Sequence, residues 1–112
     1  MNTEIDKANL ITAETKFEGT VTFAGFTRFD GSLQGNIVGL PGSELVLGET
    51  SLVDGKVKGD TVIIDGFVRG EVDASSKIIL TETGRVIGNL RAPSIAIGFG
   101  AFFEGNCETV TT

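Results

Sequence analysis

Apolar side chains fall at every second position through most of this chain, the period of a β-strand, and nowhere at three-and-four spacing over a helical length. A short motif punctuates the alternation: a large apolar residue, any residue, Gly, any residue, an apolar residue. It reads as FEGTV (Phe17 to Val21), FDGSL (Phe29 to Leu33), VDGKV (Val53 to Val57), VRGEV (Val68 to Val72), VIGNL (Val86 to Leu90) and FEGNC (Phe103 to Cys107). The central glycines Gly19, Gly31, Gly55, Gly70, Gly88 and Gly105 are 12, 24, 15, 18 and 17 residues apart, so a short turn is followed by a long one. A second element precedes the later copies: LVL from Leu45, VII from Val62, IIL from Ile78 and IAI from Ile95, with starts 17, 16 and 17 residues apart. Both elements belong to one repeating unit of about seventeen residues.

Three short strands joined by tight corners use up such a unit. The predicted fold is therefore all-β: a single triangular parallel β-solenoid of about six coils, at ~17 residues per coil. Residues 14–109 form the solenoid, between a short N-terminal tail (1–13) and a C-terminal tail (110–112). Six coils at about 4.8 Å each stack to roughly 29 Å. Inward positions must be apolar, because each coil buries them against the same positions above and below. The motif glycine falls on an inward position, where it leaves room for bulky neighbours or sharpens a corner. Cys107 takes the inward position of Val21, Leu33, Val57, Val72 and Leu90, which makes it a small buried hydrophobe. Between Gly35 and Leu45, the stretch NIVGLPGSE with Pro41 and Gly42 reads as a corner extended into a surface loop.

The outward face tests this register. The residues after four of the motifs, Lys58, Asp73, Arg91 and Glu108, form one column of alternating sign. Each pair contributes at most about 0.2–1 kcal/mol, so the column opposes a one-coil slip more than it adds stability. Asp30, Asp54 and Glu104 share another motif position, a solvated outward column rather than a catalytic carboxylate pair, and Arg28, Lys56 and Arg69 read as lone basic residues.

Composition narrows the function. The net charge of −6 repels phosphate backbones, so no nucleic-acid partner is expected. One cysteine excludes an internal disulfide and suits a reducing cytosol. No membrane span or signal peptide is read, and the protein is expected in the cytoplasm. With no histidine, the commonest general base and the commonest zinc ligand are both missing. Neither enzyme activity, metal nor cofactor is expected. Hexapeptide-repeat acyltransferases and zinc-dependent solenoid enzymes need that histidine, and calcium-binding β-rolls need nonapeptides absent here. GFGAFFEG lacks the Lys-Ser/Thr ending of a phosphate loop, and no helix follows it.

The ends of a solenoid present unpaired backbone over an apolar cross-section, an edge that is either capped or used. After Glu108 only TVTT remains, too short to cap. The last coil is instead the most apolar, and Ile97, Phe99, Ala101, Phe102, Phe103 and Cys107 are expected to form one assembly surface. Phe102 falls at the position of Arg28 and Leu52. Leu10, Ile11 and Phe17 offer a second surface at the N-terminal end.

These features resemble the bactofilin family across Thr15 to Cys107, through TKFEGTVTF, RFDGSLQGNIVG, VIIDGFVRGEV, GRVIGNLRAPSIAI and above all GAFFEGNC. The resemblance implies a right-handed parallel β-helix, and a bacterial cytoskeletal protein that polymerises end to end without nucleotide. It implies filaments without polarity, in which C-terminal ends meet C-terminal ends and N-terminal ends meet N-terminal ends. It also implies scaffolding of cell shape or polar organisation, with cell-wall enzymes or other scaffold proteins as partners. Relatives often carry a membrane-binding tail at the inner face of the cell membrane. Here MNTEIDKANLIT has one Lys against two acids and four apolar anchors, which predicts weak or no direct membrane binding. Thr109 stands where relatives often have Met. The alternative from a different class is a solenoid binding module that recruits a protein partner without polymerising.

Overall fold

Alternation becomes strand throughout. The structure, a computed structural model, describes the backbone of residues 2–5, 9–11 and 16–109 and the side chains of 18–109. The strands are β1 (Asn2–Ile5), β2 (Asn9–Ile11), β3 (Lys16–Phe23), β4 (Phe26–Phe29), β5 (Ser32–Gly39) and β6 (Glu44–Leu47). They continue as β7 (Leu52–Ile64), β8 (Phe67–Leu80), β9 (Arg85–Ala92), β10 (Ser94–Ile97) and β11 (Phe102–Thr109). Every pairing among them is parallel, and each strand lies against its counterpart one coil away. This is a parallel β-solenoid.

One ladder runs β3, β5, β7, β8, β9, β11 and stacks Phe17, Leu33, Val53, Val68, Val86 and Phe103, which are 16, 20, 15, 18 and 17 residues apart. The second coil's motif is therefore LQGNI around Gly35, and not FDGSL around Gly31 as the spacing of 12 and 24 suggested. Gly31 lies at a different corner. The amide of Leu52 donates to its carbonyl, as those of Phe67, Arg85 and Phe102 donate to Ser51, Gly66 and Gly84 one coil below. That corner is buried, and a side chain at Gly66 would overlap the Ser51 hydroxyl. Both corners select small residues, so the sequence carries two glycine signals of different meaning.

The motif glycines occupy the corner between the first and second faces. Gly55 and Gly70 have φ of +142° and +136°. A Cβ on either would run into the carbonyl oxygen of the glycine one coil below. These glycines therefore sharpen a corner; they do not line the core. The core consists of the inward rows on each side of them. Val53, Val68 and Val86 line the first face, Ile37, Val57, Val72 and Leu90 the second, and Leu47, Ile64 and Leu80 the third, all sealed from solvent. Phe23 fits because glycines lie above it: a Cβ at Gly39 would come within 2.6 Å of its ring.

The predicted surface loop contracts to residues 40–43, since Asn36 to Gly39 belong to β5. At the chain's start, β1 pairs with Thr20–Phe23 of β3 and β2 with Thr27–Phe29 of β4. Both strands lie within the stretch that the sequence set apart as a tail.

Candidate assembly surface at the C-terminal end

The same inward rows that are sealed within the stack lie open in its last coil. On the third face Phe29, Leu47, Ile64 and Leu80 are at most 1% exposed, whereas Ile97, next in the row, is 47% exposed. On the second face Cys107 follows Leu90 and is exposed. Its predicted burial fails because no described strand lies above it, and its row contains Ile37 where the sequence reading had Leu33. On the first face Phe103 follows Val86 and is half-buried, packed with Ile95 and Ala101 against the core. Backbone exposure follows the same pattern. Among the described strands β10 pairs only with β8, and β11 only with β9, leaving the outer edge of each unpaired. An apolar cross-section framed by free strand edges is what one coil offers the next.

Two more phenylalanines are exposed in the last coil. The turn from β10 to β11 closes through Ala101 N–H donating to Gly98 at 3.1 Å, as Gly84 donates to Thr81 and Ser51 to Gly48 at 2.9 Å. The residue after the first position of each turn is Glu49, Glu82 and Phe99 in turn. Phe99 thus replaces a solvated glutamate at a turn tip and is 100% exposed. Phe102 sits in the outward row of Ser32, Leu52, Phe67 and Arg85. It therefore does not share Arg28's position, because Arg28 pairs with Val46 on the third face. Phe102 is 49% exposed, close to Leu52 at 48%. In the last coil Ile97 and Cys107 are thus exposed and Phe103 half-buried in inward rows, while Phe102 lies in an outward row and Phe99 at a turn tip.

At the other end, Leu10 and Ile11 pair through their backbones with Arg28 and Phe29, and Phe17 with Leu33. Their side chains, expected to form the N-terminal surface, lie outside the described residues.

Lys58, Asp73, Arg91 and Glu108 are register neighbours in that order. The ion pairs that close lie on adjacent rows. Arg69 donates to Asp54 at 2.7 Å, and Lys56 approaches Glu71 at 3.7 Å. Strand β7 thus presents Asp54, Lys56 and Lys58 to Arg69, Glu71 and Asp73 of β8, with opposite sign at all three steps. Arg28 reaches Asp30 at 2.9 Å, and Asp30 lies in the turn after β4, away from the row of Asp54. None of Arg28, Lys56 and Arg69 is lone. The hydrogen bond from Arg69 to Asp54, and then its charge, raise the Arg69 pKa; Asp30 does the same for Arg28. Already charged at any working pH, these guanidinium groups are not titrating sites; Arg69 joins two coils, whereas Arg28 and Asp30 pair within one.

Among the described residues no group of three or more His, Cys, Asp or Glu side chains could hold a metal ion, and no helix is long and apolar enough to cross a membrane. No curated protein and no solved structure matches the chain. The bactofilin family model, described as polymer-forming cytoskeletal, matches residues 9–108, which takes in β2 through nearly all of β11. A parallel solenoid with an open apolar end suits that description, and the chain belongs to the bactofilin family.

Proposed function

We propose that this protein is a cytoplasmic scaffold that joins end to end into filaments without nucleotide. In that form it supports cell shape, or holds cell-wall enzymes or polar proteins in place at the inner face of the membrane. The observation that carries this reading is the open last coil, where Ile97 and Cys107 are exposed at positions sealed in every coil beneath them. A surface of this kind is satisfied by another coil, and the coil that every molecule carries is its own. A polymer-forming family supports self-association in general terms.

A second reading draws on a different feature. Leu52 and Phe67 are apolar neighbours in the outward row of the first face, with Leu52 48% exposed, which favours a protein partner lying along the solenoid's side. Sedimentation of the purified chain with and without ATP or GTP separates the two. The filament reading expects pelletable filaments in negative stain without nucleotide, and the same amount with it. A single-chain mass over a wide range of concentrations would leave only the side-face module.

A further inference from the structure

The two ends of the solenoid differ. At the C-terminal end the inward rows emerge uncovered, with Ile97 nearly half exposed and Cys107 exposed. At the N-terminal end the first inward side chains described, Val21, Phe23 and Phe29, are at most 3% exposed. Strands β1 and β2 pair directly over them. The chain's own start therefore covers the cross-section that its finish leaves open.

This cover is slight and incomplete. Strand β1 holds four register pairs and β2 three, whereas β3 with β5 holds eight and β4 with β6 four. Neither strand extends over Lys16, Phe17 and Glu18, so among the described strands nothing pairs with that part of β3 on its outer side. A terminal element held by few hydrogen bonds opens at a lower free energy than the coils behind it. Opening it would uncover Val21, Phe23 and Phe29, the same kind of surface that Ile97 and Cys107 present at the opposite end.

We infer that assembly proceeds in two unequal steps, with β1 and β2 as the displaceable cover that separates them. Two copies first join through their open C-terminal ends. Growth beyond that pair requires β1 and β2 to leave β3 and β4, so that N-terminal ends can meet. The pair is then the building block, and whatever binds or releases the first coil controls filament length. This inference rests on the end-to-end reading given above.

A reversible lock tests it in the full chain. Glu4 and Thr22 are register neighbours in β1 and β3. Adjacent parallel strands are about 4.8 Å apart, within the span of roughly 4.4–6.8 Å that a disulfide bridges. The variant carries Glu4→Cys and Thr22→Cys with Cys107 kept, and two controls accompany it: the reduced form of the same molecule for folding, and the native chain under the same oxidant for oxidation of Cys107. The expected result is a two-chain mass by light scattering when oxidised, with loss of pelletable filaments, and their return on reduction. Filaments that form equally well in the oxidised state would overturn the cover. An oxidised form that stays at one-chain mass while the reduced form polymerises would overturn the order of the steps. If neither form associates, and the native chain does not either, the end-to-end reading itself fails.

Discussion

Gly70→Ala is expected to remove most of the domain's stability. At φ +136° an L side chain is strained, at a cost of about 1–3 kcal/mol. The added methyl would also overlap the Gly55 carbonyl oxygen in the coil below. Rigid backbone can relieve that overlap only by parting two coils in the middle of the stack. Each ladder hydrogen bond lost contributes about 0.5–1.5 kcal/mol to a total stability of about 5–15 kcal/mol. The thermal midpoint, followed by far-ultraviolet circular dichroism, should therefore fall by about 15 °C or more. Gly42→Ala provides the comparison. It has φ +82° but nothing within 4 Å of the added methyl, so only the backbone strain of about 1–2 kcal/mol remains. A Gly70 variant no less stable than the Gly42 variant would contradict the corner geometry.

Ile97→Arg is expected to weaken assembly sharply while leaving the fold intact. Half exposed at the rim of the open end, Ile97 can be replaced by an arginine that extends into solvent. Leu80, below it in the same row, remains covered by the backbone of β10. What is lost is apolar area that a second copy would bury. Full burial of such a side chain is worth about 1.5–3 kcal/mol, and a pair joined by like ends uses it twice. Since Ile97 is already half-buried, about half of that is at stake on each side. The concentration needed for assembly should rise roughly ten- to a hundredfold. Phe103→Arg should be at least as severe, though it also weakens the last coil, since Phe103 packs against the core. Phe102→Arg should do less, because its outward row already carries Arg85. Pelleting assays with a thermal melt for each variant check the ranking, and equal assembly by all three would place the contact elsewhere.

Much of this architecture is legible in residue order alone. The third-face rows LVL, VII, IIL and IAI align in the structure as their spacing predicts, because a strand buried among its repeats must be apolar at the same steps. Lys58, Asp73, Arg91 and Glu108 likewise fall into register. The second coil misleads for a physical reason: Gly31 and Gly35 both mark corners, and a pattern of apolar residues around glycine fits either. Only the backbone distinguishes the corner that needs positive φ from the one that needs a small side chain. Cys107 illustrates another limit. Sequence places it in an inward row, but burial depends on a strand above, and among the described strands β11 has none. Exposure of Phe99 is readable once its turn is aligned with those of Glu49 and Glu82, an alignment that needs the hydrogen bonds between coils. The same holds for the pairing of Arg69 with Asp54, where charge pattern becomes contact only in the correct register.

The central claim, that copies join through the open C-terminal coil, can be read directly at Cys107. It is the chain's single thiol, exposed, and it lies on that surface. The measurement is its rate of reaction with a small maleimide across a range of protein concentrations, with sedimentation run in parallel. The account predicts that labelling slows as assembly sets in, and that protein labelled beforehand with a bulky maleimide no longer assembles. A labelling rate that stays constant while filaments form would place the junction away from the last coil and contradict the account.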